Sequence, residues 1–288
     1  EVLDALRGFC AIAVVALHFS ENYATPGVGS WLLPHGCLPV EFFFILTGFM
    51  LVYAYDDRWD GMKLVGFLKR RLIRLHPLVV FGSVVGAACY LLAAEQYAKQ
   101  VPGGSLGIGQ LVLLTLWCCT MLPAPTSCGW ALLHPLQGPL WTMFYIYVAN
   151  VLYALALRRI RTVLLAAFAV ASIGLTCWFG IRGGGVHYGP AWSWTHGKEP
   201  GLVGIFCSAN MGAVARMLLP LFAGMVIARK GWRIATGNAG LWICLVILLG
   251  IFCAPNCRPD HLTANGVLES TAVVVGMPLV LLCGIGGE

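Results

Sequence analysis

Continuous apolar runs close to bilayer length recur along the chain, and this constrains its fold more than any other feature. A hydrocarbon core of about 30 Å takes about 20 helical residues at ~1.5 Å each. Eight runs approach that length, at roughly 3–19, 39–55, 75–94, 139–157, 162–181, 212–228, 240–254 and 267–284. None alternates apolar with polar residues, as the strand of a membrane barrel would. Composition agrees: 59% of residues are hydrophobic and 10% are charged, too little charge to cover a soluble fold of 288 residues. The expected class is all-α, a polytopic transmembrane helical bundle of about eight spans. No internal repeat or low-complexity linker divides it, so residues 1–288 read as a single integral-membrane domain.

Lysine and arginine give the orientation. With the N-terminus inside, inner segments hold 13 of the 18 basic residues, among them Arg7, Arg58, Arg70, Arg158 and Arg229. The outer set is Lys99, Arg182, Lys198, Arg216 and Arg258. The same count decides residues 106–122. As a ninth span they would move Arg158–Arg161 outside, so the segment reads as re-entrant or interfacial. The net charge of +6 is therefore a topology signal and implies no nucleic-acid partner. The twelve cysteines lack C-x₂-C spacing and the seven histidines are scattered, so no metal is assigned. Cys253 and Cys257 flank an outer turn but are expected to stay unpaired.

Polar residues inside apolar runs mark the candidate site, because a charge there is costly unless paired or wetted. Arg7 and His18 are eleven residues apart, which returns to nearly the same helical angle, roughly 16 Å along one face. Asp4 shares that face. Asp4 pairing with Arg7, and His18 as an interfacial anchor, is one reading; a functional stripe is the other. In PVEFFFILTGFM, Pro39–Met50, Glu41 opens the second span at the level of His18. A carboxylate there would orient the imidazole and raise its basicity. Gly48, seven residues on, leaves room for a thin chain or a close helix. In FLKRRLIRLHP, Phe67–Pro77, Arg70, Arg71 and Arg74 lie just inside the membrane. Arg71 and Arg74 share a face and suit phosphate oxygens, or serve the positive-inside signal. Pro77 is expected to break the helix and aim the cluster. Basic groups inside, with a His and a carboxylate outside, fit a donor with a charged phosphate head and a long thin arm, the shape of acyl-coenzyme A.

The ordered set LDALRGFCAIAVVALHFS, PVEFFFILTGFM and KRRLIRLHP closely resembles the integral-membrane acyltransferase family 3. The resemblance is sharpest over residues 1–80 and weaker at GPLWTMFYIYVAN, Gly138–Asn150. It implies an acyltransferase moving groups other than aminoacyl groups, in a bacterial inner membrane, with acyl-CoA as donor, acetyl-CoA first, and an extracytoplasmic carbohydrate as acceptor. Carried over, Arg7 and His18 are the paired first-helix residues, and Arg71 and Arg74 the inner motif. Thr47 replaces a serine beside Gly48, and Glu41 stands where the family has Asp or Glu. The resulting catalytic set is His18, Glu41 and Arg7; the donor-binding set is Arg70, Arg71, Arg74, Thr47 and Gly48. Two departures stand out. Ile146 occupies the place of the family's glutamate, which leaves an inactive relative as an alternative beside a transporter. The chain starts at Glu1 and stops before the family's closing helix, so a partial sequence is expected. The loop with His187, Trp192, Trp194 and His196 is long enough to cover an outer site.

Overall fold

The computed structural model describes residues 1–23, 33–92, 105–123, 134–182, 208–255 and 262–287. Among these, every regular element is helical. The helices are α1 Val2–Tyr23, α2 Pro39–Tyr55, α3 Leu64–Leu92, α4 Ile108–Cys119 and α5 Leu140–Leu155. They continue with α6 Thr162–Arg182, α7 Ser208–Lys230, α8 Gly240–Phe252, α9 Leu262–Thr271 and α10 Met277–Gly286, the last two joined by a π-helical stretch, Ala272–Gly276. Among the described residues, five helical segments are long and apolar enough to cross a membrane: Val2–Phe19, Pro39–Gly61, Leu64–Leu92, Thr162–Ile181 and Ala264–Gly286. α4 has 12 residues, about 18 Å of rise, well short of a bilayer core.

One expectation fails at Pro77. α3 runs unbroken from Leu64 to Leu92 with Pro77 inside it. Proline removes one backbone donor, but in an apolar setting the remaining N–H and C=O groups have no water to turn to, so the helix persists around the gap.

Two compact units emerge. The first comprises residues 1–60, 155–188 and 212–288; the second comprises residues 61–154 and 189–211. In the first unit, Leu3, Leu6, Cys10 and Ala13 recur every three or four residues along α1 and are buried against Phe42, Ile45, Leu248, Met277 and Leu281. α2 and α7 meet at backbone distance. A Cβ added at Gly48 would stand 2.1 Å from the Leu221 carbonyl oxygen, and one at Gly224 would stand 2.0 Å from that of Ile45. Small residues let these backbones touch, which settles the choice for Gly48: it admits a close helix. At the other end of α7, Arg229 donates to Asp56 at 2.7 Å and to the Arg158 carbonyl at 2.9 Å, tying the helix end to two short turns. In the second unit, α4 packs on α3 through Leu111, Cys118 and Tyr90.

Candidate functional site

α1 is one continuous helix, so Arg7 and His18 do share a face, beside the buried stripe rather than within it; both are half-buried. Arg7 Nη1 donates to Asp4 Oδ1 at 2.9 Å. The local pairing that the spacing allowed is thus formed, and it keeps the guanidinium on its own turn.

Glu41 has a different partner from the one its position suggested. Pro39 starts α2, and the carboxylate of Glu41 in its first turn is fully buried. Its Oε1 accepts from Arg216 Nε of α7, so the expected bond to His18 is replaced by an ion pair. Arg216 Nη2 also donates to the Cys37 carbonyl at 3.1 Å. Glu41 Oε2 is buried with no hydrogen-bond partner among the described residues. The reason is tertiary. Helical periodicity relates Glu41 to its neighbours in the chain, whereas Arg216 is 175 positions away.

A carboxylate-supported imidazole does exist in this unit, with other residues. His35 Nδ1 lies 2.7 Å from Glu269 Oε1, and both side chains are buried. The His35 backbone N–H donates to the Phe252 carbonyl at 3.1 Å, pinning the turn before α2 to the end of α8. That turn also rests on α1: a Cβ at Gly36 would stand 3.2 Å from Leu17 Cβ, one residue from His18. His35, Arg216 and Glu269 were missed as site residues. A signal was present for two of them, since Arg216 and Glu269 interrupt apolar runs, and an ionisable residue there marks function by default. Thr47, half-buried, donates its hydroxyl to the Phe43 carbonyl at 2.7 Å within α2.

The arginine set belongs to the second unit. Arg70 and Arg74 are exposed, while Arg71 is half-buried. Arg71 Nε donates to Asn150 Oδ1 at 2.5 Å. Asn150, buried on α5, donates its Nδ2 to the Ile146 carbonyl at 2.7 Å. Tyr147 on the same helix sits with its hydroxyl 3.4 Å from His76 Nδ1. The loop residues His187, Trp192, Trp194 and His196, and Cys257, lie outside the described residues.

Comparison with known proteins decides the family. The model of an acyltransferase domain, acyltransferase family 3, matches residues 1–258. The chain belongs to acyltransferase family 3. Among curated relatives, "Protein 2 in picA locus" of Rhizobium radiobacter is 30% identical over 159 residues, 53% of this chain and 80% of that protein. "Acyltransferase MdmB" of Streptomyces mycarofaciens is 28% identical over 169 residues, 56% of this chain but only 40% of that protein. No solved structure matches the chain. As a member of the family it is an integral-membrane acyltransferase, in keeping with its helical architecture and its membrane-length apolar helices.

Proposed function

We propose that this acyltransferase moves an acetyl group from cytosolic acetyl-CoA to a hydroxyl of an extracytoplasmic carbohydrate, from a bacterial inner membrane. The observation that carries the reading is the family match over 1–258, together with an imidazole and a guanidinium on one face of α1. The acceptor hydroxyl gives its proton to His18 and attacks the thioester carbonyl, and coenzyme A leaves as the thiol; Arg7, roughly 16 Å away on the same face, guides the donor arm. Arg71, with Arg74 one turn on, grips donor phosphates, and Arg70 adds to the local positive potential. Thr47 and Gly48 lie on α2 in the same unit as His18; the hydroxyl is held by its own helix, and the glycine serves packing. Glu41 offers its unpaired Oε2 as an acceptor for a substrate hydroxyl. This replaces the role of orienting His18.

The test is incubation of purified protein with labelled acetyl-CoA and bacterial polysaccharide. Label on the polysaccharide supports transfer. Uptake of acetyl-CoA into vesicles without covalent label points to a transporter. Ile146 favours one further reading, an inactive relative; activity appearing only in an Ile146→Glu variant would establish it.

A further inference from the structure

The short turn after α2, Asp56–Gly61, is a 3₁₀ helix. With three residues per turn, side chains at i and i+3 stand over one another, so its residues sort into stacks. Asp56 and Trp59 form one stack, and both hold arginines. Asp56 accepts from Arg229 at 2.7 Å, and the Arg158 guanidinium lies 4.2 Å from the centre of the Trp59 ring. Arg229 also donates to the Leu157, Arg158 and Ile160 carbonyls. Asp57 and Asp60 form the next stack. They line a cavity of about 380 Å³ together with Arg161 and Thr162, at the start of α6. All of these residues belong to the first unit.

The second stack differs from the first in what it holds. Among the described residues, the side chains of Asp57, Asp60 and Arg161 make no ion pair or hydrogen bond, and all three are exposed. Two carboxylates and a guanidinium thus line one space without pairing with each other. Their place is as informative as their charge. Pro39–Gly61 and Thr162–Ile181, both long and apolar enough to cross a membrane, end and begin at this cavity. It therefore lies at the level of lipid headgroups, between hydrocarbon and bulk water. The charges then select the ligand. The carboxylates disfavour a polyanion such as the phosphate head of coenzyme A, and the guanidinium disfavours a bare cation. A ligand with both signs suits both. Arg161, beside the open N–H groups at the start of α6, fits a phosphodiester. Asp57 and Asp60 fit an ammonium that donates hydrogen bonds.

We propose that this cavity binds the headgroup of a zwitterionic aminophospholipid, with its phosphate at Arg161 and its primary ammonium at Asp57 and Asp60.

The test is native mass spectrometry of the detergent-purified full chain with an equimolar mixture of phosphatidylethanolamine, phosphatidylcholine and phosphatidylglycerol of identical acyl chains. Choline has the charge of ethanolamine but no N–H, and the glycerol headgroup has no cation. An exposed charge pair is worth up to about fivefold in binding, so the wild type should retain phosphatidylethanolamine about fivefold over either competitor. Asp57→Asn/Asp60→Asn should bring that ratio to about one. Arg161→Gln should lower retention of all three lipids, since each carries a phosphate, and leave the ethanolamine-to-choline ratio within about twofold of wild type. Each ratio is read within one protein, so a variant that folds in lower yield still reports. Equal retention of the ethanolamine and choline lipids by the wild type would overturn the proposal, as would a preference that survives the double aspartate variant. Glycerophosphoethanolamine, the headgroup without chains, should displace the lipid only at large excess; displacement at equal concentration would overturn the assignment to a membrane lipid.

Discussion

Removing one half of the Glu41–Arg216 pair should cost far more than removing both. The carboxylate is 0% exposed and the arginine 6%, so each charge has lost nearly all its water, and each is held by the other. Glu41→Gln keeps the shape but removes the carboxylate that is hydrogen-bonded to a buried guanidinium. Breaking such a pair typically costs about 3–5 kcal/mol, a large part of a total stability of about 5–15 kcal/mol. At about 2–4 °C per kcal/mol for a chain of this size class, the apparent Tm should fall by roughly 6–20 °C. Arg216→Met should fall comparably, with Glu41 now the stranded charge. The double variant Glu41→Leu/Arg216→Met replaces the pair by apolar side chains and should be more stable than either single variant. The assay is thermal unfolding in detergent, read as the monodisperse fraction after heating, for all four corners of the cycle. Losses in the double variant equal to the sum of the single losses would refute the reasoning, because additive effects mean the groups do not see each other. Acetyl transfer by the double variant at the wild-type rate would further remove Glu41 from the substrate-binding role proposed for it.

Other outcomes follow from the same geometry. His18→Ala should lower acetyl transfer by about 10²–10⁴-fold at equal expression; unchanged acetylation would exclude it as the base. Arg71→Ala should raise the apparent KM for acetyl-CoA with little change in kcat, and a normal KM would remove it from the donor site. Gly48→Ala should push α2 from α7, since the added Cβ would overlap the Leu221 carbonyl; a cost of about 1–3 kcal/mol is expected, and an unchanged Tm would contradict the close crossing. His134, before α5, is buried with neither ring nitrogen hydrogen-bonded among the described residues, and burial pushes its imidazole down from 6.5 to about 4. Its neutral form is the one the fold accepts, so stability is full above about 6.5 and declines as pH falls toward 4. His134→Phe should flatten that decline, measured as Tm against pH.

Much of this molecule is readable from local pattern. Apolar runs of near-bilayer length leave helices as the available solution, because a backbone without water must satisfy its own hydrogen bonds. α1, α2 and α6 accordingly start and end within a few residues of the expected bounds. Arg7 and His18 share a face for the same reason, since 3.6 residues per turn is a property of the helix alone. The family, too, was legible in three ordered motifs, and the match over 1–258 bears it out. What the pattern could not supply was any pairing between distant helices. Glu41 meets Arg216, His35 meets Glu269 and Arg71 meets Asn150, at separations of 175, 234 and 79 positions. A helix dictates which residues lie on its faces. Which charge waits opposite depends on how the helices pack, and only the tertiary structure could turn a carboxylate expected beside His18 toward an arginine of α7.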